Sequence, residues 1–244
     1  MKAWLDTLIF GVYPYICLAV FLLGSLLRFD RDQYTWKSDS SQLLRTGQLR
    51  WGSNLFHVGI LFLFFGHTVG MLTPHFVYEP FISAGAKQLV AMISGGAFGV
   101  LGLLGLTLLL HRRLFDVRIR STSKTSDIAL LVVLWLQFAL GIATVPLSAQ
   151  HLDGSMMMVL AEWAQRIVTF RGGAAELMAE VGPVFRAHMF LGMTIFLIFP
   201  FTRLVHVWSG FGTLAYVLRP YQVVRARRLN VPAGHNMPQG DASA

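Results

Sequence analysis

Polar and apolar positions separate in long blocks rather than alternating residue by residue. Uncharged stretches occupy positions 7–27, 51–78, 88–111 and 128–152, and a fifth, 187–202, continues apolar past Arg203 to Trp208. A membrane-crossing helix needs roughly 20 mostly apolar residues. The pattern therefore predicts five spans, over 7–28, 51–74, 88–111, 127–149 and 184–208. The expected fold class is an all-α integral membrane protein with one membrane domain over 1–228 and a disordered tail over 229–244. The first helix is expected to enter the membrane at Tyr13, Pro14 and Tyr15, because aromatic residues favour the interface. Pro74 is expected to close the second span, since proline cannot extend the hydrogen-bond ladder. Between spans four and five, Met156, Val159, Leu160, Trp163, Ile167 and Phe170 recur every three or four residues. That period predicts an amphipathic helix on the membrane surface, ended by Gly172 and Gly173.

Composition agrees with this picture. Of 244 residues, 55% are hydrophobic and 13% charged, which excludes a water-soluble globule and leaves no room for a separate catalytic domain. The net charge of +8 would suggest nucleic acid in a soluble protein; here its distribution points to membrane topology instead. Alternate loops carry 15 and 5 of the Lys and Arg residues. The positive-inside rule then places the N-terminus outside, on the periplasmic side, and the C-terminus in the cytoplasm. One cysteine, Cys17, excludes an intrachain disulfide, a thiolate iron-sulfur cluster and a Cys-based zinc site. Gly95, Gly96, Gly99, Gly102 and Gly105 run along one face of the third span and suit either close helix packing or a flat cofactor.

The eight histidines carry the chemistry. His75, His111, His151 and His235 fall at helix ends, in a loop or in the tail, where a solvated role is the default, whereas His57, His67, His188 and His206 lie inside spans two and five. Ionisable residues inside a span are costly and are functional by default. Spans two and five run antiparallel, so His57 pairs in depth with His206, and His67 with His188. Each pair can supply both axial ligands of a haem iron. Neither span holds the internal carboxylates of a di-iron site. On straight rods, 10 residues separate one pair of histidines by ~15 Å and 18 residues separate the other by ~27 Å, so tilt and crossing must absorb a mismatch of ~12 Å.

Several segments together resemble one family. These are Tyr13-Pro-Tyr, Arg28-Phe-Asp with Gln33-Tyr-Thr-Trp36, Asn54-Leu-Phe-His57-Val-Gly, Gly66-His67 with Gly70-Met-Leu-Thr-Pro-His75, Ser148-Ala-Gln-His-Leu-Asp-Gly154, Arg186-Ala-His188 and Phe199-Pro-Phe-Thr-Arg-Leu-Val-His206-Val-Trp. Over residues 8–228 the ordered set resembles the gamma subunit of membrane-bound respiratory nitrate reductase. The resemblance implies a dihaem cytochrome b in the bacterial cytoplasmic membrane. It would anchor an iron-sulfur beta subunit and a molybdenum-containing alpha subunit at the cytoplasmic face. The implied ligands are His57 and His206 for the cytoplasmic-side haem b, and His67 and His188 for the periplasmic-side haem b. Quinol would be oxidised near the latter, where Lys87 and Gly66 are the candidate quinol-binding residues; a lysine snorkelling at a helix end is the structural alternative for Lys87. Arg112, Arg113, Arg186 and Arg203 are candidates for haem propionates, or simply topology-setting cations.

Two other readings stay open at this point. One is a dihaem anchor of another redox complex, of the formate dehydrogenase, hydrogenase or sulfur-metabolism type. The other is a haem-free transporter with a histidine relay, although neither inverted repeats nor broken helices are evident in the sequence.

Overall fold

The computed structural model describes residues 2–32 and 46–209; the expected tail, the stretch 210–228 and the Gln33–Trp36 motif lie outside them. Five helices are long and apolar enough to cross a membrane: Ala3–Arg31, Gly47–Leu72, Ala84–Phe115, Thr125–Ser148 and Pro183–Phe201. Among the described residues there is no strand. In chain order the elements are α1 (Lys2–Asp6), a π-helical turn (Thr7–Val12), α2 (Tyr13–Arg31), α3 (Thr46–Leu72), α4 (His75–Tyr78), α5 (Ala84–Phe115), α6 (Val117–Thr122), α7 (Thr125–Ser148), α8 (Ser155–Val168) and α9 (Pro183–Ile198). Neighbouring spans run antiparallel, so the bundle has a Lys87 end and an Arg112 end.

The first span differs from expectation. Tyr13 does not mark its entry: the helix already runs from Lys2, and Tyr13 bonds Thr194 at 2.9 Å inside the bundle. Asp6, a charge that would otherwise bar this extension, is buried and paired with Arg186. Pro14 has no N–H to give the carbonyl four residues earlier, that of Phe10, and the ladder widens there into the π turn. The Trp163 indole donates to the Phe10 carbonyl at 3.0 Å.

That bond also corrects the reading of the amphipathic segment. α8 does form, but it does not simply rest on a membrane surface. Trp163, Ala164 and Ile167 are buried in a core with Phe10, Met178, Val181 and Phe185. Phe170 is not on its apolar face; it lies beyond the helix with φ 57° and stacks on Tyr15. Gly154 starts α8 in the left-handed region at φ 86°, and a Cβ there would collide with Ala84.

The fifth span is not one helix. α9 stops at Ile198 and two 3-10 turns follow, Phe199–Phe201 and Arg203–Val205, separated by Thr202 in an extended conformation. Proline at 200 and an extended Thr202 interrupt the ladder, so the straight-rod geometry expected between His188 and His206 does not apply. A broken helix, which was not evident in the sequence, is present after all.

Packing proceeds from α3 to α5, α5 to α7, α7 to α9 and α9 to α2, with α8 bracing α3 and α5. Gly99, Gly102 and Gly105 serve close packing. A Cβ on Gly59 would lie 2.7 Å from the Gly102 Cα, and Gly105 sits against Gly52 and Phe56. Gly95 and Gly96 face open space instead. α3 and α9 lack close backbone packing with each other among the described residues. Of the five spans α3 is the most exposed and α5 the most buried. A gap between two histidine-bearing helices is the feature that positions the site.

Candidate functional site

The four intramembrane histidines meet across that gap in the expected pairs. His57 of α3 faces His206 with ring centroids 6.3 Å apart, and His67 of α3 faces His188 of α9 at the same 6.3 Å. Two imidazoles on opposite sides of one metal, with bonds of ~2.0 Å and ~1.1 Å from nitrogen to ring centre, would have centroids roughly 6.2 Å apart. Both pairs fit this spacing. Each ring's other nitrogen then decides which atom is available. His57 Nδ1 donates to the Ser53 carbonyl at 2.7 Å, His67 Nδ1 to the Leu63 carbonyl at 2.7 Å and His206 Nδ1 to the Arg203 carbonyl at 2.6 Å. An Nδ1–H anchored on a carbonyl leaves Nε2 as the basic, ligating atom. His188 Nδ1 is buried without a well-formed hydrogen bond, beside the Gln137 backbone. Its ring lies over Gly141, where a Cβ would come within 3.0 Å. Among the described residues no group of three or more His, Cys, Asp or Glu could cage an ion, so the donor sets are pairs. A pair of imidazoles is an incomplete donor set and fits a metal that would bring its other ligands with it, as haem iron would.

The helix-end histidines are engaged elsewhere. His75 pairs with Glu79 at 3.1 Å, and His111 meets the Gln48 amide at 3.3 Å. His235 lies outside the described residues.

At the Lys87 end the two candidate quinol residues share no contact. Gly66, next to His67, has open space where its Cβ would be, with nothing within 4 Å. Lys87 Nζ is buried, has no hydrogen-bond partner, and stands 3.5 Å from the centre of the Tyr78 ring. A snorkelling lysine would reach water; this one does not. Burial, with the charge of Glu79 as a smaller contribution, raises the Tyr78 phenol above its ordinary range, so it offers Lys87 an uncharged ring face. Neighbouring Gln88 is committed to structure, donating to the carbonyls of Ser148 at 2.9 Å and His151 at 2.6 Å.

The arginines divide by role. Arg186 is held by Asp6, by the Met178 carbonyl at 2.6 Å and by the face of Phe10. Arg113 and Arg203 converge on Asp127 at 3.4 and 3.8 Å. Arg112 is buried at the same end. Sequence reasoning missed Tyr78 and the Asp6–Arg186 pair. The pair had a signal, since two opposite charges sit at the same end of spans one and five; Tyr78 had none, because only the folded short helix α4 brings it over Lys87.

Fold and site together define a membrane protein whose described residues are helical and which carries two pairs of facing histidines at different depths of the bundle. The chain matches the family described as "Nitrate reductase gamma subunit" over residues 6–227, and it belongs to that family. It is 56% identical to the respiratory nitrate reductase 2 gamma chain of Escherichia coli K12, over 93% of this chain and all of that one. It is 53% identical to the respiratory nitrate reductase 1 gamma chain of the same organism, over 92% and 99%. Identity to the nitrate reductase gamma chain of Bacillus subtilis is 38%, over 90% and 98%.

Proposed function

We propose that this chain is the dihaem, quinol-oxidising membrane subunit of a respiratory nitrate reductase. The observation that carries the reading is the equal 6.3 Å spacing of the two histidine pairs between α3 and the fifth span. The word gamma in its relatives' names supports association with other nitrate reductase subunits; in this reading they are an alpha subunit with molybdenum and an iron-sulfur beta subunit, docked at the cytoplasmic face of a bacterial cytoplasmic membrane. The loop charges support an orientation with the Lys87 end periplasmic and the Arg112 end cytoplasmic.

His67 and His188 toward the Lys87 end, and His57 and His206 toward the Arg112 end, would each hold a haem b, which would supply reversible one-electron carriage. The chain's own residues do the rest. Backbone carbonyls of Leu63, Ser53 and Arg203 hold three imidazoles in the tautomer that leaves Nε2 as the basic atom. Lys87 Nζ, desolvated and without a hydrogen bond, donates to a quinol oxygen and holds the negative charge that develops there as the proton leaves. The Tyr78 ring keeps that ammonium in place before quinol arrives. Open space beside Gly66 lets a flat ring approach next to His67. Oxidising quinol at the Lys87 end and delivering electrons at the other moves charge across the membrane, worth ~2.3 kcal/mol per elementary charge per 100 mV. The broken fifth helix does not favour the transporter reading, because its freed carbonyls at Pro200 and Thr202 are taken by Arg28.

The test uses membranes holding the whole complex. A quinol analogue reduces the b haems, and added nitrate reoxidises them. In Lys87→Gln, reduction by quinol slows at least tenfold while reduction by dithionite is unchanged. Haems that quinol reduces but nitrate leaves reduced would point to a different redox complex, and haems indifferent to quinol would refute the role.

A further inference from the structure

The first span carries no histidine, yet it grips the break that presents His206. Where the fifth span breaks, two backbone carbonyls lose their helical partners. Leu204 N–H, the natural donor to the Pro200 carbonyl, goes instead to Thr202 Oγ1 at 3.3 Å, and His206 N–H, the natural donor to the Thr202 carbonyl, turns to Arg203 and Leu204. At membrane depth an unpaired carbonyl is costly, and irregular backbone persists only where other groups satisfy it. Arg28 does so: its Nη1 donates to the Pro200 carbonyl at 2.7 Å and to the Thr202 carbonyl at 3.0 Å. Three more residues of α2 hold the same break. Gly24 lets Pro200 approach so closely that a Cβ would lie 2.8 Å from its ring. Ser25 accepts from the Trp208 indole at 3.3 Å. Phe21 wedges between Phe199 and Trp208, at 4.9 and 5.5 Å. The grip therefore closes on both sides of His206.

We infer that Arg28 is a positioning residue for the haem held by His57 and His206: by fixing the carbonyls of Pro200 and Thr202 it sets the angle at which His206 faces His57. Arginine suits the task because its planar fork is permanently charged and has several donors to place, whereas lysine offers one flexible point charge. The inference rests on the proposed haem reading and is local to one of its two sites. His67 and His188 lie on regular helix, so their haem does not depend on Arg28.

The test is a potentiometric titration of both b haems in membranes holding the complete complex, for the wild type, Arg28→Ala, Arg28→Lys and the reference variants His57→Ala and His67→Ala. The expected result is that Arg28→Ala shifts the potential or lowers the amplitude of the haem that His57→Ala removes, and spares the one that His67→Ala removes; Arg28→Lys gives a smaller change of the same kind. Equal changes in both haems, or no change in either, overturn the inference. If Arg28→Ala fails to accumulate, Arg28→Lys decides: a change confined to the His57 haem supports the inference, and none overturns it. A wild type without haem would instead remove the underlying haem reading, so the two failures are distinguishable.

Discussion

The buried pair of Asp6 and Arg186 makes the sharpest stability prediction. Asp6 is 5% exposed and sits where α1 passes into the π turn, beside an arginine near the start of α9. Asp6→Ala leaves a guanidinium facing an apolar core of Phe10, Val181 and Phe185. Breaking a buried pair from one side costs ~3–5 kcal/mol, because an uncompensated charge stays behind. Arg186 keeps the Met178 carbonyl at 2.6 Å and the Phe10 ring at 4.7 Å, which places this case at the lower end. The expected loss is therefore about 3 kcal/mol, on the order of a hundredfold in the folding equilibrium. Replacing both partners by apolar residues, Asp6→Leu with Arg186→Met, removes the stranded charge and recovers most of that loss. Denaturation of the solubilised protein by increasing detergent denaturant, followed by circular dichroism for the wild type, Asp6→Leu, Arg186→Met and the double variant, with Asp6→Ala alongside, closes the cycle. A coupling energy below about 0.5 kcal/mol would refute the reasoning.

Further outcomes follow from single contacts. Gly102→Val places methyl groups against the Phe138 ring where α3, α5 and α7 meet, and costs at least ~1–3 kcal/mol in the same assay. Trp163→Phe keeps the bulk but removes the indole hydrogen bond to the Phe10 carbonyl at the π turn, for about 0.5–1.5 kcal/mol. Asp153 caps the start of α8 through the Ser155 hydroxyl at 2.8 Å and amide at 3.2 Å, and these hydrogen bonds hold its carboxyl below the usual range. Its folded pKa is depressed, so the capping contribution is present above the ordinary aspartate pKa and is lost as pH falls through the lower folded value; hydrogen exchange at the first turn of α8 should quicken only in that acid window, and not in Asp153→Asn.

Much of this architecture is legible in the sequence because a bilayer imposes one rule on every span. Five uncharged stretches had to become helices, and depth along two antiparallel ones sufficed to pair His57 with His206 and His67 with His188. The errors arise where a local exception is repaired from a distance. Asp6 reads as a barrier until Arg186 is known to neutralise it, and Pro14 reads as an entry point until Trp163 is seen to bond the Phe10 carbonyl. The break after Ile198 is of the same kind: it does not show in the apolar run of the fifth span, and Arg28, 172 residues earlier in the chain, makes it tolerable. Straight-rod arithmetic between His188 and His206 fails for that reason. Phe170 keeps the helical period of α8 in sequence and still leaves the helix. A period counts side chains, not backbone conformations.

The most direct test of the central claim is a haem count on the purified protein. The reduced-minus-oxidised spectrum and pyridine haemochrome of the wild type, His57→Ala and His67→Ala should give two b haems per chain, with a different one lost in each variant. A chain without haem, or variants that both retain two, would contradict it.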